Sequence, residues 1–303
     1  MASRSKTSGD PTGQRANRAR TSKALESRLE MARRQVTAVF RKIPKSRRSV
    51  TKVVNAEQQV VYDYDQTPEQ REIMNNEVRT TIAMQLLQTT GDTMPLNWWY
   101  RPQVEEPTRQ GTLEELNEFN QLITLASAAG LVGIGGMPPQ RIAAEVVLSS
   151  QKYLQELRNV YVQNFQSIKS LSDTTASQVI QKINSGINAG STPTNISEQI
   201  TERFGVAKSN ADRIARTEVN KAYNEARLRA TDTAGEISGL KPLVRHISAL
   251  LPKRTRRWHA ARHYLVYTTS QQQAWWAEDA NLVNCLCTTR TIIVDKDGNY
   301  IEA

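Results

Sequence analysis

The chain has 303 residues, enough for two modest domains with a buried core. Its hydrophobic fraction of 38% and formal charge of +10 point to a thin core and a polyanionic partner: DNA, RNA or an acidic protein surface. Two cysteines, no apolar signal core and no run of transmembrane length argue against a secreted disulfide scaffold and a stable membrane span, and for a protein made and assembled in cytosol.

Charge is concentrated at the start. From Met1 to Lys52, 15 Lys and Arg face only Asp10, Glu26 and Glu30. Residues 1 to about 20 hold almost no apolar side chain and are expected to be disordered. Leu25, Leu29, Ala32, Val36, Val39 and Phe40 then recur at three- and four-residue spacing, with Arg28, Arg33, Arg34, Arg41 and Lys42 outside the stripe. This is a basic amphipathic helix. With Lys45, Arg47 and Arg48 these cations form the candidate DNA-binding set, since a basic arm holds phosphates by counterion release and without sequence preference. The plainer reading is a solvated tail.

A helix opens at Thr67 as N-cap and Pro68 in the first turn, with Met74, Val78, Ile82 and Leu86 as its stripe. Gly91 to Thr112 reads as a loop. Its adjacent Trp98, Trp99 and Tyr100 cannot share one face, so one or two should anchor it on the core. A helix from Leu113 to Ala129 follows, and the apolar run from Leu122 to Gly136 reads as a buried helix end. Gly130 to Pro139 lacks a Lys-Ser/Thr pair and a preceding strand, which makes it a hinge and not a phosphate loop. The longest helix is expected from Pro139 to Leu171. Shorter ones over 173–188 and 195–204, parted at Asn188 to Asn195, lead into a helix over 206–234.

Beyond Gly235, the stretches PLVRHISAL, HYLVYTT and RTIIVD are β-branched and aromatic, and DKDGNY carries a hairpin turn. The expected fold is therefore mainly α. Residues 1–52 form a disordered basic N-terminal arm with its amphipathic helix, 53–237 a helical body, and 238–303 a small C-terminal α+β module packed on the 206–234 helix.

Within that last helix Ala211, Ile214, Ala215, Ala222 and Ala226 share a stripe, with Glu218 at its centre. An ionised carboxylate there needs a partner. The basic run Lys253 to His263 offers Arg254 or Arg256. On the opposite face Arg213, Arg216, Asn220 and Arg227 read as a basic ridge, either wet or phosphate-binding. The acidic stretches at Glu105 and Glu114 to Glu118 read as solvated faces. His259, His263, Cys285 and Cys287 are the only metal-type set and could hold tetrahedral zinc, although Cys-x-Cys constrains the geometry and free thiols are the plainer reading. No nucleophile elbow, Walker sequence or HExxH is present.

RIARTEVNKAYNEAR (Arg213 to Arg227), KRTRRWH (Lys253 to His259) and NCLC (Asn284 to Cys287), in this order and spacing, resemble the phage Mu F-like head morphogenesis proteins, over about Asp173 to Asp295. The resemblance implies a non-enzymatic minor capsid protein of the virion head at the portal vertex. Its implied partners are the portal protein, double-stranded DNA and other capsid or scaffolding proteins, with roles in packaging or ejection. It highlights Arg216, Thr217, Glu218, Asn224, Arg254, Thr255, His259, Cys285 and Cys287, of which all but the cysteines are expected, with Arg256, to form a structural polar cluster. One departure stands out: the acid expected before the Arg-Thr pair is replaced by LLPK, Leu251 to Lys253. Two alternatives remain: a metal-dependent nuclease or transferase-like enzyme using His259 and the cysteines, and a scaffold that binds only protein.

Overall fold

The computed structural model describes residues 10–51, 58–133, 136–295 and 298–302. In chain order its elements are α1 (Arg15–Arg41), β1 (Lys45–Thr51), β2 (Gln58–Tyr64), α2 (Pro68–Leu86), α3 (Arg101–Ala128), α4 (Ala144–Leu148), α5 (Gln151–Asn188), α6 (Pro193–Ser238), β3 (Pro242–Ile247), α7 (Arg257–Ala261), β4 (Val266–Tyr267), α8 (Thr269–Ala277), β5 (Thr288–Val294) and β6 (Tyr300–Glu302). The protein is mainly α, with a small α+β module near the C-terminus. No described helix is long and apolar enough to cross a membrane.

The chain forms two compact units, one of residues 1–21, 99–161 and 215–303, the other of 22–98 and 162–214. They are discontinuous in sequence, unlike the consecutive segments 1–52, 53–237 and 238–303, because α1, α5 and α6 each supply residues to both.

The unit of residues 22–98 and 162–214 is built on periodic apolar faces. Leu25, Leu29, Val36 and Phe40 of α1, Met74, Val78, Ile82 and Leu86 of α2, and Ile200 and Phe204 of α6 are buried, as their spacing demands. Thr67 caps α2 reciprocally with Gln70 in a capping box. Trp98 is buried, donates to the Leu86 carbonyl at 3.3 Å and meets Phe165 edge-on at 5.2 Å. The antiparallel hairpin of β1 and β2 goes beyond the sequence-based expectation, although QQVVYDY alternates as a strand should. It is fastened where Tyr62 N donates to the Gly190 carbonyl at 2.9 Å and the Tyr64 hydroxyl donates to the Ser191 carbonyl at 2.8 Å.

In the unit of residues 1–21, 99–161 and 215–303, Leu116, Phe119, Leu122, Ile123 and Ala126 of α3 pack with Ala230 and Ala234 of α6 and Ile293 of β5. The sheet order is β4-β3-β5-β6, every pair antiparallel. The expected final hairpin is the β5–β6 pair, closed at Gly298 (φ 84°). Where α3 crosses α6, a Cβ on Gly111 would lie 2.4 Å from the Tyr223 carbonyl oxygen. Only glycine permits that approach.

Four expectations change. Residues 91–112 are not all loop: α3 begins at Arg101, with Pro102 tolerated in its first turn and Pro107 buried within the helix. The expected break near Leu171 is absent: α5 runs continuously from Gln151 to Asn188, and inside it Thr175 Oγ1 donates to the Leu171 carbonyl at 2.7 Å. That helix starts at Gln151, not Pro139, and α6 runs unbroken through Gly205. Finally, the disorder expected for residues 1 to 20 falls partly on 1–9, outside the described residues, while 10–20 are structured. There Arg18 pairs with Asp10 and donates to Thr12 Oγ1 at 3.0 Å.

Candidate functional site

One face of α6 docks the NCLC segment. Thr217, Asn220 and Asn224 follow one another at intervals of three and four, so they align on one side of the helix. Asn284 N donates to Thr217 Oγ1 at 3.0 Å, Asn220 Nδ2 donates to the Cys285 carbonyl at 2.6 Å, and Asn224 Nδ2 donates to the Cys287 carbonyl at 2.9 Å. Thr288 Oγ1 donates back to Asn224 Oδ1 at 2.7 Å, and Arg18 Nη1 donates to Asn220 Oδ1 at 2.8 Å. Both asparagines are buried. An amide suits the task because it supplies donor and acceptor at once. Asn284 takes φ 54°, a conformation asparagine tolerates, where the chain turns into this seam.

The expected clamp from Glu218 to Arg254 or Arg256 is not formed. Arg256 donates instead to the carbonyls of Ala280, Asn281 and Val283 at 3.3, 3.2 and 2.7 Å and to His259 Nε2 at 3.2 Å, which ties α7 to the 280–283 turn. Arg254 is exposed, and Thr255 Oγ1 accepts from Leu251 N at 2.8 Å. Glu218 is half-buried, and its charge acts on the fully buried Tyr100 phenol, whose pKa is raised first by burial and then by Glu218.

The buried charge of α6 lies elsewhere. Arg227, placed on the wet ridge by the helical wheel, is fully buried. Its Nη2 lies 2.7 Å from Glu115 and 2.5 Å from Glu118, and its Nη1 donates to the Tyr223 hydroxyl at 3.3 Å. Tyr223 in turn donates to Glu114 at 2.6 Å. Glu114 to Glu118 is therefore no solvated face: Glu115 is fully buried, because α3 lays it against α6. Burial pushes the Glu115 carboxyl up while Arg227 pulls it down, and Glu115 and Glu118 hold Arg227 well above its ordinary range against the cost of burial. Of the supposed ridge, Arg213 is exposed, Arg216 half-buried, and Asn220 belongs to the seam.

The metal-type residues separate. His259, Cys285 and Cys287 come together, with His259 Nδ1 3.5 Å from each sulfur. His263 does not join them; its Nδ1 accepts from Ser248 N at 3.1 Å. The hydrogen bond between the thiols holds Cys287 low, with help from His246 and His259, and the same bond with burial raises Cys285. A shallow surface depression with about 30 Å³ of cavity space, lined by Arg254, Thr255, Arg256, His259, Cys285 and Cys287, opens over the cluster.

The candidate DNA-binding cations also separate. Arg28 donates to the Gln85 carbonyl at 2.8 Å, and burial lowers its pKa. Arg33 is bound to Glu30 at 2.5 Å. Arg34, Arg41, Lys42, Lys45, Arg47 and Arg48 are exposed.

A long helix whose asparagines hold the backbone of a small sheet, with its ion pairs sealed inside, defines a structural docking module. Residues 177–290 match the family model described as Phage Mu protein F like protein, so this segment is similar to the phage Mu F-like head morphogenesis proteins. The matched segment contains the whole Thr217–Asn220–Asn224 seam and both cysteines. No curated protein and no solved structure matches the chain.

Proposed function

We propose that this Mu F-like protein is a minor head component at the portal vertex, contacting the portal protein and other capsid or scaffolding proteins. In this reading it touches packaged double-stranded DNA without sequence preference and aids assembly, packaging or delivery. The observation that carries the DNA contact is the exposed run of Arg34, Arg41, Lys42, Lys45, Arg47 and Arg48 at the end of α1 and along β1. Lys42 and Arg48 lean on single acids, Glu77 at 3.8 Å and Asp63 at 3.0 Å. Such exposed pairs are weak and screened by salt, so phosphates can replace them. We read the chain as structural, not enzymatic, because the seam's polar groups are engaged in holding backbone carbonyls.

Deleting residues 1–52 would not test this, because α1 buries Leu25, Leu29, Val36 and Phe40 and its loss would unfold its unit. The test is the full chain with Arg41, Lys45, Arg47 and Arg48 changed to Gln, titrated against duplex DNA at several salt concentrations. The slope of log K against log salt should fall by about 0.9 for each phosphate that the variant no longer neutralises, equally for unrelated sequences. An unchanged slope and affinity would move the partner to acidic protein. Duplex cleavage abolished by His259→Gln would instead install the enzyme.

A further inference from the structure

Two thiols and an imidazole meet where three short pieces of chain converge. Cys285 and Cys287 lie on the segment entering β5, and His259 lies on α7. All three are buried, and their ligand atoms lie within 4.8 Å of one another. For tetrahedral zinc with Zn–S about 2.3 Å and Zn–N about 2.05 Å, the N···S edge is about 3.6 Å. The observed distances from His259 Nδ1 to the two sulfurs are both 3.5 Å. Both N···S edges of such a site are already at coordination spacing.

β3 offers the fourth corner, although His246 stands outside the group whose ligand atoms lie within 4.8 Å of one another. His246 is fully buried, and its Nε2 has no hydrogen-bond partner. A buried, unanswered imidazole nitrogen is costly and calls for an explanation. Ser248, two residues after His246 and just past the end of β3, brings its Oγ to 3.5 Å from Cys287 Sγ. The Trp275 ring packs edge-on against both imidazoles, with centroids 5.2 Å from His246 and 4.8 Å from His259. At its other nitrogen His246 faces Gln272 Oε1 at 3.2 Å. An amide oxygen only accepts, so the proton sits on Nδ1 and the lone pair on Nε2, the tautomer a metal ligand needs.

We propose that His246, His259, Cys285 and Cys287 form a structural site for a zinc-class divalent cation. Two buried thiolates and two buried imidazoles suit zinc over magnesium or calcium, which prefer oxygen. Four protein ligands leave no open position, so the ion would cross-link β3, α7 and the NCLC segment and activate no water. One contact must yield. Arg256 donates to His259 Nε2 at 3.2 Å, which leaves the ring proton on Nδ1, facing the sulfurs. On binding, that proton passes to Nε2 and Arg256 keeps only its carbonyl partners.

The test uses the full chain, purified under reducing conditions with zinc present and dialysed into metal-free buffer. Elemental analysis should give about one zinc per chain, and cobalt should give the intense visible bands of a tetrahedral thiolate complex. His246→Gln should weaken cobalt binding by at least about tenfold, whereas His263→Gln should leave it unchanged. Less than about half an equivalent of zinc, with no thiolate-cobalt spectrum in the wild-type chain, would overturn the site whatever the variants do. Equal cobalt affinity and spectrum in His246→Gln and wild type would overturn the fourth ligand.

Discussion

Asn224 holds Cys287 by its main chain, with Nδ2 donating to the carbonyl at 2.9 Å and Oδ1 left to accept from Thr288 at 2.7 Å. Asn224→Ala removes both bonds and leaves two buried groups unanswered, at a cost of about 1–3 kcal/mol. Asn224→Asp should cost more, since it sets a carboxylate oxygen against a carbonyl. Urea unfolding of the three chains measures both. A cost below about 0.5 kcal/mol for the alanine variant would show that the seam does not hold the module together.

Arg227 has the largest single effect expected. Arg227→Met strands Glu115 in the core without a cation, at a cost of about 3–5 kcal/mol. Adding Glu115→Leu should return much of that stability, because an apolar pair of similar volume needs no compensation. Chemical denaturation of the two single variants and the double variant gives the coupling directly. Additive effects would contradict the ion pair.

Two glycines in long helices should respond oppositely to alanine. Gly111→Ala places a Cβ 2.4 Å from the Tyr223 carbonyl oxygen and must push α3 off α6, destabilising by about 1–3 kcal/mol. Gly205→Ala meets nothing within 4 Å on an exposed turn of α6 and should stabilise by about 0.5–1 kcal/mol from helix propensity. Melting temperatures should therefore move in opposite directions.

Two carboxyls give stability opposite slopes with pH. Glu30, bonded first to Arg33 and also to Arg34 and Lys208, is lowered from 4.5 to about 2. Its contribution is whole above 4.5 and is lost as pH falls toward 2, so Glu30→Gln should flatten the acid limb of the stability profile. Glu115 is raised by burial, so its contribution is whole at low pH and declines as pH climbs past the ordinary carboxylate range. Glu115→Gln should abolish that decline. Identical pH profiles for wild type and both variants would show that neither carboxyl titrates as described.

What is legible in the sequence is periodicity. The stripes of α1 and α2, the Thr67 cap and the strands after Gly235 all appear where spacing puts them, since local pattern decides which face is apolar. Breaker residues mislead. Pro107 and Gly111 read as loop, yet the close crossing with α6 needs a glycine and the helix accommodates the proline. The polar cluster is half visible. Thr217, Asn224, Arg256, His259 and the cysteines are near one another, but the wheel singles out Glu218 as the buried charge where the structure has Arg227. A helical wheel ranks faces by hydrophobicity, and Arg227 lies on a face that a second helix covers with its own acids. His246 is silent in the sequence, because a lone histidine in a strand carries no spacing signal; its neighbours arrive only through the pairing of β3 with β5.

The asparagine seam also sets a clock. Asn220 and Asn224 reach partners 65 and 63 residues further along the chain. During synthesis the ribosome completes α6 well before those carbonyls exist, so both amides must wait in water or in provisional company. Closure across such a distance comes late in folding. Until the segment bearing the cysteines has emerged, Asn220 and Asn224 have no carbonyls to grip. A nascent copy can therefore present its docking face in final form only after the segment from Asn284 to Thr288 has been translated.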